Sequence, residues 1–190
     1  MDTKKVALQK QILRQEIKLF KQQLTSNFIQ KNSELISRKL LTAELLDLAQ
    51  TVFVYVSQPK EVQTHYLIKK MLAEGKTIAV PKVIGPGKMS AVKISSFSQL
   101  KPGRFDILQP IQDEILDQPI ELNIMPAVAA DRSGHRLGMG KGFYDRFIQK
   151  HQPEQNLVLI FDEQLKPEVP VDEFDQSVEF VLTPQYTIEN

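Results

Sequence analysis

The chain has no cysteine. Disulfides and thiolate metal sites are therefore excluded, which fits a reducing compartment. Nor is there any run of the roughly eighteen apolar residues that a membrane-crossing helix requires. The opening stretch MDTKKVALQKQILRQEIKLF has no apolar core of signal-peptide type, so a cytoplasmic protein without membrane association is expected. Net charge is also scarce. Lys and Arg number 24 against 23 Asp and Glu, a balance of +1 that argues against a general nucleic-acid binder. The three histidines, His65, His135 and His151, have no ligand spacing to one another, and none is assigned a metal or base role. Internal repeats and low-complexity linkers are lacking as well.

What remains is an ordinary globular composition, 42% hydrophobic and 25% charged, in 190 residues. One domain spanning 1–190 is expected. The charge is unevenly spread: residues 1–24 hold six Lys/Arg against two Asp/Glu, whereas residues 151–190 hold one Lys against nine Asp/Glu. The two ends could lie against each other, or face a metal-bound polyanion from opposite sides.

Val6, Leu13, Ile17, Phe20 and Leu24 recur near the helical period, predicting an amphipathic helix over 3–24 with Lys10, Arg14, Lys18 and Lys21 on its other face. A second helical stretch covers 32–50, with Ser33 as its N-cap. TVFVYVS (51–57) is a short apolar run of buried-strand type, THYLIKKMLAEGK a helix closed at Gly75, and TIAVPKV (77–83) another strand. After the turn GPGK, MSAVKI (89–94) reads as a strand of antiparallel type. Residues 97–121 look mostly irregular, and 122–128, 157–161 and 179–183 are further strands. Helices alternating with strands predict an α/β fold: a mostly parallel central sheet flanked by helices in a Rossmann-like three-layer arrangement, with an N-terminal helical segment.

HRLGMGKGFYDR (135–146) carries the chemistry. Alternating Gly138, Gly140 and Gly142 let backbone approach a ligand, and the helix they open presents unpaired N–H groups to an anion. It is not a Walker loop, which would need glycine at His135 and Ser or Thr at Gly142, and it is not the dinucleotide fingerprint. A glycine-rich turn with solvated charges is an equal reading of the loop alone. Asp145 follows Lys141 by one helical turn, either as its salt-bridge partner or as a ligand for Mg²⁺ beside a phosphate. VPVDEFD (169–175) offers Asp172, Glu173 and Asp175 as further ligands, or simply a solvated acidic loop. Lys10 and Arg14 project together from the first helix, where a shared anion would offset their repulsion and water would otherwise solvate it. Tyr55, Phe143 and Tyr144 could stack on a planar ligand or belong to the core.

RLGMGKGFYDRFI resembles the signature of the 5-formyltetrahydrofolate cyclo-ligase family, also called 5,10-methenyltetrahydrofolate synthetase. KQILRQEI (10–17), YVSQPKEVQT (55–64), GKTIAVPKV (75–83) and LIFDEQLKPEVPVDEFDQSVEFVLT resemble other family segments in family order. The resemblance implies ATP-dependent conversion of 5-formyltetrahydrofolate to 5,10-methenyltetrahydrofolate with release of ADP and phosphate, through phosphorylation of the formyl oxygen and attack by N10. It implies ATP contacts from Lys10, Arg14, Arg136, Leu137, Gly138, Met139, Gly140, Lys141, Gly142, Phe143 and Tyr144, with Lys141 and Arg136 neutralising the transferred phosphoryl group. It places Mg²⁺ on Asp145 and Asp175, and the folate against Tyr55, Gln58, Glu61, Gln63 and the loop from Met139 to Tyr144. The implied partners are ATP and a reduced folate, in a monomer or weak homodimer. Gln63 stands where the family commonly has Asp or Glu, AVAAD replaces a bulkier segment, and Gln109 stands where Glu is frequent. A non-enzymatic folate or nucleotide sensor, and a phosphotransferase with another acceptor, are the competing readings.

Overall fold

The computed structural model describes residues 3–103 and 107–190. The part of the expected irregular stretch at 104–106 lies outside the described residues.

Three helices open the chain: α1 (Thr3–Gln23), α2 (Ser26–Leu41) and α3 (Glu44–Leu48). Thr25, not Ser33, caps α2, its side chain accepting the Phe28 N–H. Ser33 instead lies inside the helix, buried, and its Oγ accepts the Gln63 N–H at 2.9 Å. The expected single helix over 32–50 is thus displaced toward the N-terminus and broken at Thr42 and Ala43, whose N–H groups close the last turn of α2.

There follow β1 (Thr51–Val54), α4 (His65–Ala73), β2 (Thr77–Gly85) and β3 (Lys88–Ile94). Gly75 ends α4 as expected: its N–H reaches Leu72 O while Lys76 N–H reaches Met71 O, a Schellman closure. A small hairpin, β4 (Leu100–Pro102) with β5 (Leu108–Pro110), relieves the otherwise irregular stretch. The chain continues through β6 (Leu122–Pro126), the short hairpin β7 (Ala129–Ala130) and β8 (Arg136–Leu137), α5 (Phe143–His151), β9 (Gln155–Leu159), β10 (Phe180–Leu182) and β11 (Thr187–Glu189).

Seven strands form the main sheet in the order β11-β10-β9-β6-β1-β2-β3. The five inner strands run parallel, and the two edge strands, β3 and β11, are antiparallel to their neighbours. Parallel strands need both faces covered, and alternate side chains do this. Val52, Val54, Ile78, Val80 and Ile124 pack with α2, α3 and α4, whereas Phe53 and Ala79 pack with Phe147 of α5. Three layers result.

From β1 the chain turns first toward β2 and later returns to β6 on the opposite side of β1. The reversal opens a crevice beyond the carboxyl ends of β1 and β6, the usual ligand position in open α/β sheets. Helix α1 borders it, with Leu13 and Ile17 packed on Val128, Ala129, Leu137 and Val169.

Candidate active site

Two segments reach the crevice from the sheet. Beyond β6, the β7–β8 hairpin turns around Asp131, whose carboxylate is 2% exposed. Its Oδ1 accepts the N–H groups of Ser133 at 2.9 Å and His135 at 3.0 Å. Its Oδ2 accepts Val169 N–H at 2.8 Å and lies 3.0 Å from His135 Nδ1. One buried carboxylate thereby fixes the approach to Arg136 and the start of the acidic segment 169–175.

After β8 comes the glycine loop. Gly140 and Gly142 adopt left-handed φ of 88° and 61°; Gly138 does not need it. Gly142 is the N-cap of α5 and offers no side chain to the first helical N–H groups. Arg14 Nε donates to Gly138 O at 2.9 Å, tying α1 to the loop. Arg136 is 4% exposed, ion-paired to Asp145, and its Nε is buried with no hydrogen-bond partner among the described residues. Asp145 also accepts Gln176 N–H at 3.3 Å.

The basic beginning and acidic end of the chain do meet. Lys10, 6% exposed, donates to Asp172 at 2.6 Å and to Asp175, and Asp175 Oδ2 further accepts Asp172 N–H at 2.7 Å. Burial disfavours the Lys10 ammonium, but its hydrogen bonds to the two aspartates outweigh this and hold its pKa above the ordinary value. The same lysine holds the Asp172 carboxyl below its usual range. The two expected metal ligands, Asp145 and Asp175, are therefore each matched to a cation. Among the described residues no three His, Asp or Glu side chains form a metal cage. Two carboxylates suit a hard ion whose other ligands come from phosphate and water.

The second segment follows β1. Tyr55 is buried and its hydroxyl donates to Val62 O at 2.7 Å. Ser57 and Thr64 exchange N–H to hydroxyl bonds at 3.1 Å, closing a loop that presents Gln58, Glu61 and Gln63. The Gln63 amide donates to Gln58 O and Glu61 O, both at 2.8 Å, and Glu61 accepts Gln58 N–H at 2.9 Å. Burial raises the Glu61 carboxyl, with Gln58 N–H and the Lys21 charge pulling the other way. Burial, with the Glu61 charge adding to it, likewise pushes the phenols of Tyr55 and Tyr144 far above their ordinary range. Both phenols stay protonated.

A family model described as the 5-formyltetrahydrofolate cyclo-ligase family matches residues 6–184. The chain belongs to this family. Cyclo-ligases are ligases, so the chain is an enzyme. The chain is 32% identical to the 5-formyltetrahydrofolate cyclo-ligase of Escherichia coli K12 over 169 residues, covering 85% of this chain and 92% of that protein. Its mouse counterpart is 28% identical over 184 residues, covering 90% and 91%. The fold matches the NMR structure of Aquifex aeolicus 5,10-methenyltetrahydrofolate synthetase with a TM-score of 0.85 at 26% identity, over 95% of this chain and 92% of that one.

Against the cyclo-ligase pattern, Arg14 reaches the loop, Arg136 pairs with Asp145 on the helix the loop opens, and Lys10 pairs with Asp175, next to Gln176 whose N–H Asp145 accepts. Glu61 reaches the loop's helix electrostatically, through Tyr144. Met139 stands out at 80% exposed. Three contributors escaped the sequence reading: Asp131, Lys21 and Arg146. Asp131 had one usable signal, an acid two residues before a Ser-Gly turn. Lys21 looked like any lysine on a solvated helix face.

Proposed function

We propose that the protein closes 5-formyltetrahydrofolate to 5,10-methenyltetrahydrofolate, coupled to conversion of ATP to ADP and phosphate. The observation that carries this reading is the approach of Arg14 and buried Arg136, whose Nε has no partner among the described residues, to a glycine-capped helix start at the sheet's crossover point, with Lys10 held on the acidic segment whose Gln176 N–H bonds Asp145. A triphosphate is the ligand such a frame suits.

The formyl oxygen is a weak nucleophile and, as hydroxide, a poor leaving group. Its attack on the γ-phosphorus forms an O–P bond as the bond to the β-phosphate oxygen breaks and ADP departs. N10 then attacks the formyl carbon, the new C–N bond closes the ring, and the formyl oxygen leaves within inorganic phosphate. The N10 proton passes to solvent. Because N10 belongs to the same molecule, ring closure avoids most of the entropic barrier of a bimolecular step. Lys141, Arg136, Lys10 and Arg14 serve to align and neutralise the phosphates, and α5 adds its N-terminal dipole. Mg²⁺, when bound, would supply charge neutralisation for the phosphates, and Asp145 and Asp175 are the side chains that would hold it. Glu61 suits the donor edge of the pterin, and Gln63 offers amide donors and acceptors beside it.

The test is direct. Purified protein with 5-formyltetrahydrofolate and MgATP should generate the methenyltetrahydrofolate absorbance with one ADP formed per folate. Folded protein that leaves both substrates unchanged overturns the proposal, and ATP consumption with other acceptors only would assign a different phosphotransferase.

A further inference from the structure

Each loop of the site is braced from outside. Arg146 ties α5, the helix that the glycine loop opens, to the β2–β3 turn, its Nε donating to Gly87 O at 2.8 Å. The loop that follows β1 is braced by α2, where buried Ser33 accepts the Gln63 N–H at 2.9 Å. Behind that loop lies an open groove of about 680 Å³ between α2 and the start of α4, a volume in the range of small-molecule sites. None of its lining residues belongs to the glycine loop or to the acidic segment 169–175.

Three features of the groove point to a ligand. Ser37 lines it at 3% exposed, and its hydroxyl has no hydrogen-bond partner among the described residues. A buried hydroxyl left unpaired costs stability until something bonds it. Glu34 and Arg38 are spaced i,i+4, the ordinary arrangement for an ion pair on a helix, yet they form none. Glu34 accepts the Gln30 amide at 3.0 Å instead, and Arg38 has no carboxylate partner among the described residues. Across from α2, the wall contributed by α4 carries Tyr66, 55% exposed. A carboxylate and a guanidinium one helical turn apart, with a free hydroxyl and an open aromatic ring beside them, suit a zwitterion better than a simple anion.

We propose that this groove binds a free α-amino acid with an aromatic side chain, and that the bound amino acid braces the loop carrying Gln58, Glu61 and Gln63. Its carboxylate pairs with Arg38, its ammonium with Glu34, and Ser37 gains the hydrogen bond it lacks. The aromatic side chain packs on Tyr66 and the apolar floor at Ile29. The ligand then fills the space behind Gln63, whose amide holds Gln58 O and Glu61 O, and so stiffens the loop without touching either substrate. The bracing rests on the function proposed above, whereas the binding does not. By linkage, folate and amino acid each tighten the other by the same factor.

Ligand-observed NMR on the full chain with L-phenylalanine, 3-phenylpropionate and phenethylamine tests the site. L-phenylalanine should bind with a Kd of about 1 mM or below, and the two analogues, each lacking one charge, at least about fivefold more weakly. Glu34 and Arg38 are exposed, so Glu34→Gln and Arg38→Ala leave the fold intact. Each should weaken L-phenylalanine about fivefold or more, while the KM for ATP and, without the amino acid, the KM for 5-formyltetrahydrofolate stay within about twofold. Saturating L-phenylalanine should lower the folate KM about two- to threefold in the unaltered protein and leave it level in Arg38→Ala. Absence of binding, equal binding of all three probes, or binding that survives Arg38→Ala overturns the proposal. So does a folate KM in the unaltered protein that stays level or rises with the amino acid. Protein that binds L-phenylalanine as described but turns over no folate would overturn the proposed function and the bracing role together, while the amino-acid site stands.

Discussion

Asp145 is where charge and proposed chemistry are most tightly joined, since it neutralises the buried Arg136 and stands in the first turn of the helix that the glycine loop opens. Asp145→Asn keeps an oxygen that can accept from Arg136 but removes the negative charge. We expect turnover to drop by about a hundredfold or more, with a loss of stability of about 3 kcal/mol because the buried guanidinium loses its counter-charge. Steady-state rates and a thermal melt on the same preparation check both halves. Glu61 poses the opposite case. Its folded pKa is raised by burial, so its contribution to stability is fully present below the unfolded value and is lost as pH rises through the folded one. Ionising Glu61 as pH rises therefore costs stability. Glu61→Gln should melt higher than the unaltered protein at pH 7 to 8, with the difference closing below about pH 4, and should raise the KM for folate. A lower melting temperature at pH 8 would contradict this account.

Helix α1 is the element on which the proposed phosphate side depends, because it brings Lys10 and Arg14 to residues more than a hundred positions away. Leu13 and Ile17 seat it by burial, and its cations are matched to Asp172, Asp175 and a loop carbonyl. A phosphate drawing Lys10 away would leave two carboxylates partly buried and unpaired, a costly state unless a cation replaces it. ATP and Mg²⁺ should therefore bind synergistically, each tightening the other by about tenfold or more. Calorimetric titration of ATP with and without Mg²⁺ measures the coupling, and Lys10→Ala should weaken it while raising the KM for ATP more than it lowers kcat. Independent binding of the two in the unaltered protein would refute the exchange. Elements of this kind were legible in the sequence where a local period fixed them. The apolar spacing of α1 and the short apolar runs of β1 and β2 each point to one partner surface. The β7–β8 hairpin and β11 were not legible, since strands of two or three residues are defined by what they pair with. The site divides in the same way. Its glycines and its i,i+4 pairs could be read locally, whereas the match of Lys10 to Asp172 and Asp175 is made by the fold.

At the scale of the whole molecule, the sheet carries a half-buried histidine on each face. His65 of α4 lies 5.0 Å from the Phe97 ring, and His151 at the end of α5 stacks at 4.3 Å on Phe147, itself stacked at 4.3 Å on Phe53. The Nε2 of each is buried with no partner among the described residues. Burial lowers both pKa values, helped by the charge of Lys69 beside His65 and of Lys150 beside His151. The folded state thus favours the neutral rings, while the unfolded chain protonates them near pH 6.5. Their contribution to stability is present above that pH and lost as pH falls through the folded values. Asp172, whose pKa is lowered by Lys10, adds its own acid loss only below about pH 4, so the two effects occupy separate windows. Melting temperature should decline between pH 7 and pH 5, and replacing both His65 and His151 by Gln should flatten that decline while leaving the steeper fall below pH 4 in place. Because the two sites sit on opposite faces with no shared partner, the single substitutions should each remove part of the slope and add to the double variant's effect. A slope between pH 7 and pH 5 that survives the double substitution would place the acid sensitivity elsewhere in the molecule.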